Sequence, residues 1–397
     1  MGINLNLLYT LTSYPPSTGG AQLHMHQIVK MLNEHHFTQV ITFWNSNRFD
    51  WLLGTTIKSS HPPYDYSIDG INVHKINFST SERHSLVPWV IGYYPLMNYA
   101  VPNIARLIQR QLHDFSENTS LIHNVRIGRE PLSYASLFEA RKKDIPFVFT
   151  PVHHPRWSGL LYRQYIKLYK EADAVIALTK AERDELAHLG VKEDRIFITG
   201  IGPLISEQPK PEQFRQNTNI GDCPIVLFLG QMYRYKGVKS LLDATKLVWA
   251  KIPEVYFVFI GPKTSYSNKV FSEINNPRII EMGVLDLETK TNALAACNLL
   301  CVPSTQESFG GVYTEAWSFG RPVIGCNIPA VSQVIKDCEN GFLVKQNSSE
   351  IADRIITLLL DEKLSRTLGN NGRQEVEKKY NWERITRLTE DIYLSLM

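Results

Sequence analysis

Short, continuous apolar runs alternate along this chain with longer segments whose apolar positions recur every three or four residues. That is the pattern of buried strands separated by one-sided helices. In the first half Leu5–Thr10, Gln39–Phe43, Ile71–Ile76, Leu121–Asn124, Phe147–Pro151, Ala174–Ala177 and Arg195–Thr199 read as strands, and Ala21–Asn33 and Lys180–Leu189 as helices. A polar stretch over residues 206–222, with prolines at Pro209 and Pro211, reads as a linker. The pattern then restarts: strand Pro224–Leu229, helix Val238–Lys251, strand Val255–Ile260 and helix Leu287–Ala296. Residues Asn298–Gly325 read as strand, turn, helix and strand; after the apolar Gly341–Val344 come polar helices between Ser348 and Lys379 and an amphipathic helix, Trp382–Leu396. Strands alternating with helices predict an α/β protein with parallel sheets.

A chain of 397 residues exceeds one ordinary core, so two domains are expected, 1–205 and 223–380, with 206–222 between them. All 12 histidines precede Val191 and all five cysteines follow Asp222, which also sets the halves apart. With 43% hydrophobic and 20% charged residues the composition is that of a folded globular protein. A net charge of +3 gives no nucleic-acid footprint, and nucleic acid is not expected as a partner. The cysteines, three of them in apolar runs, read as reduced small hydrophobes, and no cysteine–histidine spacing suggests a metal. The N-terminal stretch reads as a first strand rather than a signal peptide, and no run reaches the roughly 20 apolar residues that span a bilayer. A cytoplasmic location follows as the expectation, with room for peripheral contact at the inner face of a membrane.

Four stations fall at predicted strand ends, where open α/β sheets bind ligands. Gly19 and Gly20 follow the first strand and open a helix; they either bring backbone N–H groups to a phosphate or sugar, or simply make a tight turn. His153 and His154 follow another strand; a histidine there either meets a sugar hydroxyl or a leaving phosphate, or caps the strand end. Phe228–Gly237 follows the first strand of the second half and places Lys236 before a glycine and a helix, where an ammonium can reach an anion or stand solvated. The fourth station carries Glu307 and Glu315 around Gly310 and Gly311 at a helix start. Two carboxylates flanking an anion site suit a ligand with hydroxyls at both ends and phosphate between, as in a nucleotide sugar. Both on one helix would stand about 12 Å apart along its axis.

With these stations in order, the chain resembles the family-4 retaining glycosyltransferases of GT-B fold over nearly its whole length. The resemblance rests on Gly19-Gly20-Ala21, His153-His154-Pro155 and Ala177–Leu186 in the first half. In the second half it rests on Phe228–Gly230, Lys236-Gly237, Pro303-Ser304, the Glu307–Glu315 spacing, Gly320–Val323 and Asn340–Val344. It implies two Rossmann-like domains with parallel sheets facing across a cleft, and a C-terminal helix, 381–397, that crosses back to the N-terminal domain. The activity it implies is transfer of a hexose from a nucleotide diphosphate sugar to an acceptor hydroxyl with retention, in polysaccharide or glycolipid synthesis, without cofactor or metal. In the implied site Glu307 and backbone amides from Ser308, Phe309, Gly310 and Gly311 hold the donor sugar, and Glu315 takes the ribose. Lys236 and Gly230 meet the diphosphate, with Gly19 and Gly20 against the donor from the other domain. One histidine binds a sugar hydroxyl; His154, which directly precedes proline, is preferred, with His153 as the alternative.

The sequence departs from the family at three places. Gln231 stands where an arginine is usual, and Arg234 is the residue that could supply the missing charge. Thr199–Gly202 lacks the usual aspartate, and Pro262 follows Gly261 where a second glycine is common. The acceptor is expected to be a saccharide or a lipid-linked one. The aromatic segment His84–Tyr99 either faces such a lipid or packs as an irregular stretch over the sheet. The alternatives are a GT-B epimerase or phosphorylase, or a catalytically weak partner subunit.

Overall fold

The structure, a computed structural model, describes residues 4–17, 19–44, 64–154, 157 and 159–397. It forms two compact units: Met1–Thr199 together with Trp382–Met397, and Gly200–Asn381.

The N-terminal unit is built on an eight-stranded sheet. Its strands are β1 (Asn6–Ser13), β2 (Phe37–Trp44), β3 (Tyr64–Ile68), β4 (Ile71–Lys75), β5 (Leu121–Val125), β6 (Phe147–Thr150), β7 (Ala174–Ala177) and β8 (Ile196–Ile198), in the order β3-β4-β2-β1-β5-β6-β7-β8. All neighbours run parallel except β3 and β4. Those two form a hairpin whose turn residues, Asp69 and Gly70, both lie at positive φ, as a two-residue turn of matching twist requires. Parallel strands need cover on both faces. Helices Met97–His113, Pro131–Lys143 and Arg163–Glu171 bury Ile104, Ala135 and Leu168 on one face; helices Gly20–Leu32 and Trp382–Leu394 bury Ile28, Ile385 and Tyr393 on the other. Two contacts fix the returning helix. His36 Nε2 lies 3.0 Å from Glu390 Oε1, and the Tyr393 hydroxyl lies 2.6 Å from His123 Nδ1 in the sheet.

The C-terminal unit has a wholly parallel six-stranded sheet in the order β11-β10-β9-β12-β13-β14. Its strands are β9 (Ile225–Leu229), β10 (Tyr256–Ile260), β11 (Ile279–Gly283), β12 (Leu299–Val302), β13 (Val323–Cys326) and β14 (Phe342–Val344). Helices Val238–Trp249, Leu287–Ala296, Ser348–Leu360 and Glu362–Lys379 are among those that complete it. The α/β class and parallel sheets agree with the sequence pattern.

Three segments differ from expectation. The stretch read as a linker, 206–222, contains helix Pro211–Thr218, whose Phe214 is 2% exposed, and Lys210 N–H bonds to Asn292 Oδ1 at 2.6 Å. One apolar anchor in a polar sequence suffices to dock so short a helix. The division between units falls after Thr199 rather than at 205. Residues 84–99 are mostly helical, with a turn over 92–96: helix Thr80–Ile91 starts from a full capping box at Ser79 and Glu82 and runs through Pro88, and the next helix begins at Met97. Leu86, Val90, Tyr93 and Met97 from this region are buried, whereas Ile91 is 79% exposed and Leu96 and Tyr99 are exposed as well. No described helix is long and apolar enough to cross a membrane.

Removing residues 382–397 would uncover the sites of Ile385, Ile392 and Tyr393, each worth roughly 1.5–3 kcal/mol when fully buried. We expect the truncated chain to lose hydrogen-exchange protection selectively in β1, β5 and helix Gly20–Leu32. Unchanged protection there would show the helix to be dispensable.

Candidate functional site

Strands β9 and β12 are hydrogen-bonded neighbours, so the loops leaving their carboxyl ends emerge side by side. The first loop runs from Gly230 through a 3₁₀ turn, Arg234–Lys236, to Gly237; the second runs from Pro303 to Gly310. Several bonds stitch them together. Thr305 N–H donates to Tyr235 O at 2.9 Å, and the Gln346 side-chain amide donates to Tyr235 O at 2.9 Å and to Pro303 O at 2.8 Å. Gly237 has φ +81°, and a Cβ there would lie 2.5 Å from Pro303 O, so only glycine allows this approach. The result places Lys236 Nζ 2.5 Å from Glu307 Oε1, with side chains only 16% and 10% exposed.

Glu307 sits in the second loop, whereas Glu315 lies on the following helix, Gly311–Trp317. The two glutamates therefore do not share a helix, and the axial spacing of about 12 Å does not apply. Gly310 adopts φ +86°, with the Tyr313 ring directly beneath it, and the Tyr313 hydroxyl donates to Val302 O at 2.9 Å. Phe309 is buried edge-on against Tyr380, and Ser308 is half-buried. Glu315 Oε1 accepts from Lys290 Nζ at 2.9 Å, and the same ammonium donates to Leu204 O at 2.7 Å. Glu315 Oε2 is buried without a hydrogen-bond partner of normal geometry. Burial raises the Glu315 pKa, and Lys290 partly offsets it.

Gln231 and Arg234 are exposed, and the Arg234 guanidinium makes no hydrogen bond or ion pair with the described residues. At the end of β10, Gly261 must lack a side chain because a Cβ would stand 2.1 Å from Gly230 O. Lys263, near the position of the missing second glycine, pairs with Glu281 at 2.7 Å.

In the N-terminal unit, Gly19 caps helix Gly20–Leu32 in extended conformation, and a Cβ on it would strike the Gln22 side chain, which itself bonds to Ser13 Oγ at 2.9 Å. Gly20 has open space where a side chain would go. After β6, Val152 takes the strained φ +46°, and His153 and His154 follow. Pro155 lies outside the described residues. The two histidines differ. His154 is half-buried against Trp157, at 4.6 Å between ring centroids. His153 is 2% exposed; its N–H donates to Glu182 Oε1 at 2.6 Å, its Nδ1 lies 3.3 Å from the Tyr169 hydroxyl, and its Nε2 is buried without a partner. Burial and then the nearby Arg126 cation lower its pKa to about 4, so the ring is neutral at pH 7.

Sequence reasoning missed Lys290, Gln346 and Arg126, each of which reaches its partner across tens of residues and carries no local motif. Glu182 lay within the Ala177–Leu186 stretch, but its bond to the His153 N–H, 29 residues away, was not legible there. Among the described residues no group of histidine, cysteine, aspartate and glutamate is placed to hold a metal.

Two family models match the chain: Glycosyltransferase Family 4 over residues 18–200 and Glycosyl transferases group 1 over residues 209–375. An uncharacterized glycosyltransferase of Methanocaldococcus jannaschii is 32% identical over 393 residues, covering 96% of each chain. A capsular polysaccharide biosynthesis glycosyltransferase of Staphylococcus aureus is 26% identical over 56% of this chain and 61% of that one. Among solved structures, Anabaena HepE in complex with UDP-glucose matches with a TM-score of 0.76 at 18% identity, over 99% of this chain and 100% of that one.

Burial raises the Glu182 pKa from 4.5 to about 7, against the lowering effect of N–H groups from Leu178 and His153. A raised folded-state pKa means that the protonated acid is favoured in the fold. The contribution is complete below about pH 4.5 and is lost as pH rises through about 7. Wild-type stability should therefore fall, relative to Glu182→Gln, by up to about 1.4 kcal/mol per pH unit within that window. Denaturant melts across the window measure it; parallel profiles would contradict the assignment.

Proposed function

The chain belongs to the glycosyl transferases group 1 family and is a glycosyltransferase of GT-B fold, and from that premise we propose that it transfers a hexose from a nucleoside diphosphate sugar to an acceptor hydroxyl with retention at the anomeric carbon. The observation that carries the proposal is the Lys236–Glu307 pair between two stitched loops, with the buried Glu315 carboxylate on the next helix. The UDP-glucose held by the Anabaena structure supports a nucleotide donor, and the capsular role in the Staphylococcus aureus relative's name supports polysaccharide synthesis.

In this reading Lys236 and the amides of Ser308 to Gly311 meet charge on the diphosphate, Glu307 accepts hydroxyls of the sugar, and Glu315 Oε2 accepts from the ribose. The acceptor oxygen bonds to the anomeric carbon as the bond to the diphosphate breaks on the same face. The acceptor proton passes to a diphosphate oxygen, so no side-chain nucleophile is needed. Charge that develops on the leaving group is met by donors already in place, which is where such sites gain most of their rate. The proposal gives that task to protein groups rather than to a metal ion. Gln231 cannot supply charge, and Arg234, exposed and unengaged, is the cation that would swing onto the diphosphate.

Calorimetry against UDP, GDP and ADP sugars would identify the donor, and the anomeric configuration of the product by proton NMR would test retention. Glu307→Gln and Lys236→Ala should each lower transfer about 10²–10³-fold. Glu315→Gln should act mainly on the donor KM. Wild-type transfer by both of the first two variants would sink the site. For Arg234→Ala a loss of about ten-fold or more is expected, and near-normal transfer would remove Arg234 from the scheme.

A further inference from the structure

Arg126 stands one residue beyond β5, at the carboxyl edge of the N-terminal sheet, and is only 7% exposed. Its guanidinium carbon lies 4.0 Å from the centroid of the Trp157 indole and 3.9 Å from that of the Tyr165 ring, with Tyr162 at 5.7 Å. Nη1 donates to the Tyr169 hydroxyl at 2.5 Å. No described carboxylate comes within the 4.0 Å ion-pair distance. The nearby acids are engaged elsewhere: Glu182 accepts backbone N–H groups of Leu178 and His153, and Glu130 accepts the Tyr93 hydroxyl at 2.6 Å. A guanidinium carries five N–H donors, and this one spends a single donor on a side chain. Aromatic faces offset part of the cost of removing a cation from water, but they do not satisfy its N–H edge.

A second observation points the same way. The Tyr169 oxygen accepts the arginine N–H, so its own hydroxyl can donate to His153 Nδ1, 3.3 Å away. Neutral His153 then carries its proton on Nε2, which is buried and partnerless. The adjacent ends of β5 and β6 thus offer a cation and a neutral N–H donor joined through a tyrosine, with no carboxylate among the described residues paired to the cation and no described acceptor bonded to the imidazole N–H.

We propose that Arg126 binds an oxyanion on the acceptor substrate, a phosphate or a carboxylate, so that the acceptor is an acidic or phosphorylated saccharide rather than a neutral one. The inference rests on the reading above in one respect: the donor phosphates belong to the C-terminal unit, which leaves this cation for the other substrate. Trp157 and Tyr162 beside it suit the apolar face of a sugar ring.

The test is calorimetric titration of the full chain with inorganic phosphate and, separately, acetate, each with and without saturating UDP. Wild type should bind one of them in the presence of UDP, phosphate if the acceptor carries phosphate and acetate if it carries carboxylate. Arg126→Gln should weaken that binding about ten-fold or more, and Arg126→Lys less, with UDP affinity unchanged in both. The proposal is overturned if wild type binds neither anion, or if both variants bind as wild type does. The wild-type titration decides the matter even should the glutamine variant fail to fold. Failure of UDP to bind would count against the nucleotide reading alone, because the anion titrations without nucleotide still compare Arg126 with its variants.

Discussion

A parallel sheet covered by helices on both faces leaves its polar chemistry one place to go, the carboxyl ends of the strands. The inner strands of the C-terminal unit, Ile225–Leu229 and Leu299–Val302, are wholly apolar for this reason, whereas the half-buried edge strand Ile279–Gly283 carries Glu281. Strand order then decides which loops meet. Because β12 lies beside β9, a lysine and a glutamate that are 71 residues apart in sequence come to share one hydrogen bond. Had any strand been inserted between them, the strand spacing of roughly 5 Å would have pulled the pair apart.

That pair also shows why the scaffolding around it is so specific. Two charges held mostly out of water are worth keeping only if their geometry is fixed, since desolvation otherwise exceeds the attraction. Gln346, Thr305 and the side-chain-free Gly237 supply the fixity by locking one loop onto the backbone of the other. Glu315 is handled in the same way. Lys290 holds one carboxylate oxygen, and the Leu204 backbone N–H lies near the carboxylate without a bond of normal geometry to the buried second oxygen. In the proposed reaction such preorganisation matters more than any single contact, because groups that need not move when charge develops stabilise it most.

The alternation of short apolar runs with helical patterns made the α/β class and most parallel strands legible, and the family resemblance supplied the returning helix. Apolar runs such as Ile225–Leu229, short, flanked by proline and glycine and rich in β-branched and aromatic residues, read as buried strands. The elements that escaped are those whose order comes from a partner. Helix Pro211–Thr218 is polar except for Phe214, and its reason to exist is the surface of helix Leu287–Ala296. Helices Thr80–Ile91 and Met97–His113 each contain a proline that local propensity counts heavily against, yet Leu86, Met97 and Ile104 are buried deeply enough to override it. The hairpin at Asp69 and Gly70 did carry a local signal, a pair suited to positive φ between two short strands, which the reading passed over. In the site, glycines and glutamates near strand ends were visible as positions. Lys290 and Gln346 were not, because a hydrogen bond between distant loops leaves no spacing rule behind.

The two histidines after β6 illustrate how far position alone can go. Sequence places both at a strand end and distinguishes them only by the proline that follows His154. The fold distinguishes them by environment. His153 has its backbone tied to Glu182, its Nδ1 directed at a tyrosine already engaged by Arg126, and a pKa lowered to about 4, so burial and hydrogen bonding together select one neutral tautomer. A neutral imidazole with its proton on a buried, unpartnered nitrogen is a donor waiting for an acceptor, and a cation clasped by rings without a carboxylate is another. A buried donor left unsatisfied costs on the order of 1–3 kcal/mol, which is the position of His153 Nε2, and Arg126 beside it carries its charge without an ion pair to any described carboxylate. Their persistence at the carboxyl edge of a parallel sheet, the one edge where ligands can approach, is the physical argument that the missing acceptors arrive with a substrate.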